Sequence, residues 1–198
     1  REREPLSAHT SFAVGGPADL LFEAGTLDAL VDAVRLARAE GVPWRVLGSG
    51  TNVLVADAGI RGVVIVNRCR GYAIGADGTL RAESGALLTD VARAASAAGW
   101  AGLAWAVGIP GTIGGAVVNN AGAYGGAMAD RVRSVTVLEP SGRREEWGVE
   151  RLAYAYRTSA LKSDPEGGRS RIVLEAVLAL EPGDREELAA AVRHTEAQ

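Results

Sequence analysis

From Trp100 to Ala129 the chain carries no charged side chain, yet Gly102, Gly108, Gly111, Gly114, Gly115, Gly122, Gly125, Gly126 and Pro110 punctuate the run. Its length and apolarity are those of a membrane span, and Gly111 and Gly115 have the small-residue spacing of helix dimers. Pro110 and the glycines would break or weaken a spanning helix repeatedly, and Asn119-Asn120 is polar. The run therefore reads as backbone packed around a ligand. Ordering that many glycines costs roughly 0.5–1 kcal/mol each relative to alanine in regular structure, so something must offset the cost.

The rest of the chain alternates short β-branched runs with amphipathic stretches, the pattern of a mixed α and β protein. Leu27 to Glu40 has apolar residues at 27, 30, 31, 34 and 37, with Thr26 as N-cap and Gly41 as stop, and reads as a helix. Trp44 to Leu47 reads as a strand running into Gly48-Ser49-Gly50-Thr51-Asn52, with Val53 to Val55 and Val63 to Val66 as further short strands. A second helix is expected over Leu87 to Ala98, closed by Gly99. Val132 to Glu139 and Arg143 to Trp147 flank Pro140-Ser141-Gly142, a hairpin signal. Arg171 to Leu180 reads as a strand, and Asp184 with Glu187 opens a last helix running to the chain end. A boundary falls at Asn67 to Gly75, giving expected lobes at 1–70 and 71–182 and a helical segment at 183–198.

With 198 residues and 47% apolar side chains, the chain suffices for one large domain or two small lobes. Lys and Arg number 21 against 24 Asp and Glu, a net charge of −3, so no basic field favours nucleic acid and any anion must be held locally. The single cysteine, Cys69, forms no internal disulfide and suits a reducing cytosol. The start, Arg1-Glu2-Arg3-Glu4-Pro5, lacks the apolar core of a signal peptide, so a cytoplasmic protein is expected.

Three constellations carry chemistry. Gly48-Ser49-Gly50-Thr51-Asn52 combines glycines that permit close approach with a hydroxyl and an amide suited to phosphate oxygens. It departs from the Rossmann fingerprint, since Val53 stands where the last glycine belongs and no acidic residue follows about 20 residues on. A plain tight turn would explain it equally. The second is Gly108-Ile109-Pro110-Gly111-Thr112-Ile113-Gly114-Gly115-Ala116, followed by Asn119-Asn120-Ala121-Gly122-Ala123-Tyr124-Gly125. Without a ligand it reads as a glycine-rich connection between lobes. Two glycine segments together suit a dinucleotide, whose pyrophosphate oxygens can be met by backbone N–H groups without a basic surface. The third is Tyr154-Ala155-Tyr156-Arg157-Thr158-Ser159-Ala160-Leu161-Lys162, where Arg157 is a forked cation suited to a carboxylate or enolate, or else a surface arginine. His9 and His194 lie far apart and no cysteine pair or H-E-x-x-H occurs, so no metal is expected. No G-x-S-x-G elbow marks a serine hydrolase.

Ser11-Phe12-Ala13-Val14-Gly15-Gly16-Pro17-Ala18, the Gly48 loop, the Gly108 to Gly125 region and Tyr156-Arg157-Thr158-Ser159 occur in the order seen in UDP-N-acetylenolpyruvoylglucosamine reductases, which the chain resembles over nearly its whole length. The resemblance implies an α+β, two-lobed FAD-binding fold of the vanillyl-alcohol-oxidase/PCMH type. It implies that Gly48, Ser49, Gly50, Thr51, Asn52 and Val53, with Gly108, Gly111, Thr112, Ile113, Gly114 and Gly115, hold the pyrophosphate and neighbouring groups of FAD, and that the stretch from Asn119 to Gly122 lies close to it. NADPH is the implied hydride donor, a UDP-sugar enolpyruvate the implied small-molecule substrate, and Arg157 the implied stabiliser of the enolate-like intermediate. The interval after Lys162 resembles the family's shorter subtype. The glycine loops lack a histidine or cysteine, so FAD is expected to bind without a covalent link. The family's substrate domain, with its proton-donating serine and assisting glutamate, has no counterpart before Gln198, and neither residue is assigned. Two other readings stay open: a flavoprotein or fragment without turnover, and an oxidase of the same flavin fold.

Overall fold

The computed structural model of the protein describes residues 1–163 and 170–197, and the chain divides into two compact units, Arg1–Cys69 and Arg70 onward. In the first, β1 (Glu2–Pro5), β2 (Pro17–Ala24), β3 (Trp44–Leu47) and β4 (Ile60–Asn67) form a sheet in the order β1-β2-β4-β3. β1 runs antiparallel to β2, whereas β4 lies parallel to both β2 and β3. The crossover between β2 and β3 is α1 (Leu27–Ala39), which Thr26 caps by accepting the Ala29 N–H and which stops before Gly41 at φ 64°. α1 buries Leu30, Val31 and Val34 and packs on β2 and β4. A small second cluster contains Leu6, Leu21, Leu47, Val64 and Val66.

The strand expected at Val53–Val55 does not form. Val53 and Val55 pack against the small cluster while Leu54 stays 76% exposed, so the alternation reflects an extended loop laid on the core, with no partner strand. β1 and β2 were not expected, because Ala-Asp-Leu-Leu-Phe-Glu in β2 has no clear period. Leu20 and Phe22 there remain exposed beside buried Leu21.

The second unit is an antiparallel sheet in the order β8-β7-β9-β6-β5, built from β5 (Tyr72–Ile74), β6 (Thr79–Glu83), β7 (Val132–Leu138), β8 (Arg144–Gly148) and β9 (Ile172–Ala179). The expected hairpin joins β7 to β8, closed where the Gly142 N–H donates to the Glu139 carbonyl at φ 81° for Gly142. Glu139, buried at its base, accepts from Trp147 Nε1 at 3.0 Å and Arg171 Nε at 2.9 Å. α2 (Leu88–Ala97) buries Leu88, Val91, Ala92 and Ala95. The uncharged run, read as ligand-wrapping backbone, holds a short helix, α3 (Ile113–Asn119). It forms despite its glycines because Thr112 caps it and Ile113, Ala116 and Val117 place one apolar stripe inward on β9 and β6. After the single turn α4 (Val149–Leu152), the last helix, α5 (Arg185–Glu196), starts at Asp184, whose carboxylate accepts from the Glu186 and Glu187 N–H groups. α5 packs on α2 within the second unit, with Arg93 meeting Glu196 at 2.9 Å; Gln198, the end of the expected helical segment, lies outside the described residues.

Candidate functional site

In the first unit the Gly48–Val53 loop leaves the C-terminal end of β3. Gly50 adopts φ 69°, and a side chain there would overlap the His9 carbonyl oxygen. The Ser11 N–H donates to the Gly50 carbonyl at 3.0 Å, so the loop is fastened to the His9–Ser11 segment. That segment is itself held: the Thr10 hydroxyl donates to the Val14 carbonyl at 2.9 Å, and His9 Nε2 bonds Glu4 Oε1 at 3.1 Å. The His9 bond, followed by that of Arg1, holds the Glu4 carboxyl below its usual range. Between loop and segment lies a pocket of about 190 Å³ lined by Ser11, Gly48, Ser49, His9, Val66 and Arg68, among others. Two hydroxyls and a guanidinium are groups that a phosphate accepts from, so these residues fit a phosphate-bearing ligand. Arg68 is shared with Glu23 at 3.0 Å. Of the predicted loop residues, Gly48 and Ser49 line the pocket and Gly50 sets the loop's approach; Asn52 is exposed and Val53 packs inward.

In the second unit the predicted residues divide. Gly111 and Thr112 run beside Leu87, with the Leu88 N–H donating to the Gly111 carbonyl at 3.1 Å. The Ile113 N–H donates to the Ala86 carbonyl at 2.9 Å, that of Gly114 to the Ser84 carbonyl at 2.8 Å, and that of Gly115 to Thr112 Oγ1 at 3.4 Å. A Cβ on Gly114 would lie 2.8 Å from that of Ser84, so this glycine permits close packing on the turn after β6. Three of the backbone donors that the sequence offered to a pyrophosphate, those of Ile113, Gly114 and Gly115, are thus engaged within the protein. Gly108 is exposed, near Thr195 of α5. Asn119 donates to the Gly115 carbonyl at 2.9 Å, inside its own helix.

Gly122 lies elsewhere. Gly122–Ala123 pairs with Gly126–Ala127 as a tight hairpin, Tyr124 (φ 50°) and Gly125 (φ 82°) making its tip. A side chain on Gly126 would overlap the Trp105 indole. This hairpin and the Ala155–Thr158 turn line one pocket of about 370 Å³, to which Asn120, Gly122, Tyr124, Asp130, Tyr156 and Arg157 contribute. Ala155 and Thr158 exchange two N–H···O bonds of 3.2 Å, and Arg157 holds a left-handed φ of 56° between them. Non-glycine residues in this region are strained, and such strain concentrates at functional sites. Asn120, Tyr124 and Arg157 all show it around the same pocket. The Arg157 guanidinium lies 5.9 Å from the Tyr156 ring centre, and Lys162 Nζ donates to the Arg157 carbonyl at 2.8 Å. Ser159, 1% exposed, donates to the Val118 carbonyl at 2.7 Å and so ties the turn to α3. Nearby in sequence, the Tyr154 hydroxyl is buried without a hydrogen-bond partner, and burial pushes its pKa upward. The sequence did not mark Asp130 or Arg68; Asn120 stood within the Asn119 to Gly122 stretch expected close to the cofactor.

Among the described residues, no group of three or more His, Cys, Asp or Glu side chains is placed to hold a metal ion. No helix among them is long and apolar enough to cross a membrane.

The FAD binding domain model matches residues 18–148. The chain belongs to the FAD binding domain family. Within that family, it is 45% identical over 192 residues to UDP-N-acetylenolpyruvoylglucosamine reductase of Rubrobacter xylanophilus, covering 96% of this chain and 63% of the relative. It is 43% identical over 194 residues to the corresponding reductase 2 of Symbiobacterium thermophilum, covering 98% and 61%. The chain thus spans about three fifths of the length of these curated relatives. The crystal structure of the Thermus caldophilus UDP-N-acetylenolpyruvylglucosamine reductase superposes with a TM-score of 0.81 at 34% identity, over 99% of this chain and 68% of that one. The 6-hydroxy-D-nicotine oxidase of Arthrobacter nicotinovorans, 17% identical over 83% of this chain and 37% of its own, has a TM-score of 0.60 and shows the fold alone. The motif resemblance and the two-lobed FAD-binding fold of the vanillyl-alcohol-oxidase/PCMH type are borne out.

Proposed function

We propose that this chain is the FAD-binding portion of a cytoplasmic reductase that converts UDP-N-acetylglucosamine enolpyruvate to UDP-N-acetylmuramate with NADPH, in peptidoglycan precursor synthesis. The observation that carries the reading is that Arg157 shares one pocket with Asn120 and Gly122 of the glycine-rich segment. FAD, held without a covalent link, supplies the acceptance of hydride from NADPH and its delivery to the substrate.

The protein's own residues do the rest. Ser49 and Ser11 donate hydroxyl hydrogen bonds to phosphate oxygens, with Gly48 allowing the ligand to come close to the backbone and Gly50 seating the loop on the His9 segment. Thr51, Asn52 and Val53 shape the far side of that loop. Gly111, Thr112, Ile113, Gly114 and Gly115 act as a rigid wall, since their bonds to Leu88, Ala86, Ser84 and one another fix them before any ligand arrives, and Gly108 borders that wall from its exposed position. Asn119 and Gly122 border the flavin. Arg157 presents a fixed cation to the substrate carboxylate; as negative charge spreads toward that group during hydride addition, the preorganised guanidinium lowers the barrier. The left-handed turn fixes the backbone from which the guanidinium projects beside the pocket.

Expressed with FAD and extended to the length of its relatives, the protein should oxidise NADPH in an enolpyruvyl-dependent way. Oxidation that depends on oxygen and ignores the enolpyruvyl compound would contradict the reading.

A further inference from the structure

We propose that Asn120 is the positioning residue that sets the tilt of the Arg157 turn across its pocket; the inference rests on the reading of Arg157 above. Asn120 ends α3 with φ 43° and ψ 58°. Glycine is the usual residue for a left-handed helix end, because it carries no Cβ penalty, and asparagine is the common substitute. Here the asparagine side chain is used at both ends. Its Oδ1 accepts the Ala129 N–H at 3.0 Å and its Nδ2 donates to the Ala155 carbonyl at 3.0 Å.

Each contact reaches one wall of the same pocket. Ala129 lies between Ala127 and Asp130, both of which line the pocket on the hairpin side. Ala155 opens the turn that carries Tyr156 and Arg157, and its carbonyl also accepts the Thr158 N–H at 3.2 Å. A single amide therefore couples the hairpin wall to the arginine wall. Asn119, its neighbour, bonds only back into α3 and has no such reach. The Ser159 hydroxyl bond to Val118 anchors the far end of the turn independently. Loss of Asn120 thus leaves the base of the turn attached there and through the Ala160 N–H to the Leu152 carbonyl at 2.7 Å, while the Ala155 side loses its tie to the end of α3.

Two variants separate the ends of the amide. Asn120→Asp keeps the left-handed preference and the acceptor facing Ala129, but sets an oxygen against the Ala155 carbonyl. Asn120→Gly keeps the backbone and removes both contacts. Amide hydrogen exchange on the FAD-loaded protein reads the Oδ1 bond directly at Ala129 and the order of the Ala155 turn at Thr158. In Asn120→Asp the Thr158 amide should exchange about tenfold faster or more while Ala129 stays protected; in Asn120→Gly both should open. Stopped-flow on the protein extended to the length of its relatives then reads function: reoxidation by the enolpyruvyl substrate should slow about tenfold to a hundredfold more than flavin bleaching by NADPH does, the cost of a misplaced group. Unchanged Thr158 exchange in both variants overturns the clamp. Faster exchange with unchanged reoxidation overturns its role in positioning Arg157. If wild type is not reoxidised by the enolpyruvyl compound but the exchange pattern appears, the functional reading fails and the clamp stands.

Discussion

The two glycine-rich segments look alike in sequence and work differently in the fold. In the Gly48–Val53 loop one glycine, Gly50, is demanded by a backbone overlap and a left-handed φ, and the loop then borders a small pocket rich in donors. In the Gly108–Gly126 segment three glycines serve packing: Gly114 sits on Ser84, Gly122 faces its hairpin partner and Gly126 lies against Trp105. The N–H groups of Ile113, Gly114 and Gly115 are bonded inside the protein, and the larger pocket is built by the hairpin and the Arg157 turn instead. Glycine content therefore marks where backbone comes close to something, without saying whether that something is ligand or protein.

The comparison is tested most severely at Arg157, which belongs to neither glycine segment. Arg157→Ala should lower enolpyruvyl reduction by about 10²–10³-fold, the effect of losing one preorganised charge-stabilising group, while FAD stays bound. Equal turnover in wild type and variant, measured as NADPH consumption, would remove Arg157 from the mechanism. Next come the glycines. Gly50→Ala and Gly126→Ala each force a Cβ into occupied space and should destabilise by about 1–3 kcal/mol or more, Gly50→Ala also weakening FAD retention. Gly125→Ala meets only open space at φ 82°, and the left-handed strain alone should cost about 1–2 kcal/mol in a denaturant melt. If Gly125→Ala proved as damaging as Gly126→Ala, the packing account of this segment would fail.

Acid provides the gentlest contrast. Hydrogen bonds from His9 and Arg1 depress the Glu4 carboxyl, and that of Arg68 depresses Glu23, in the first unit; Arg151 does the same for Glu145 and Arg131 for Glu181 in the second. A carboxyl whose folded pKa lies below its unfolded value, about 4.3 for glutamate, contributes stability above that value and loses it as pH falls through the folded pKa. Thermal melts should therefore show the midpoint flat from neutral pH to about 5 and falling below about 4.3. Glu4→Gln should make the fall shallower; an unchanged acid limb would show that the Glu4 network contributes nothing.

Local signals carried much of the fold. Thr26 and Asp184 cap the helices that their sequence pattern announced, and Pro140-Ser141-Gly142 closes the expected hairpin. What escaped was decided by distant partners. β6 has only Leu80 and Ala82 to mark it, and becomes a strand because β9 and β5 flank it. Val53 to Val55 has a strand's alternation and finds no ladder. The same holds for the candidate site: Arg157 was legible as a cation in an aromatic context, but its meeting with Gly122 and Asn120 depends on a turn folding back across α3. Asn120 was legible as part of the Asn119 to Gly122 stretch expected close to the cofactor but not as a tie between two walls, since its two bonds reach nine and 35 positions along the chain.

The central claim is that the chain holds FAD. The purified protein, mixed with FAD and freed of excess by gel filtration, should retain about one flavin per chain, seen as the visible absorption of the oxidised isoalloxazine. A cooperatively folded chain that emerges colourless, at concentrations where its longer relatives stay yellow, would contradict it.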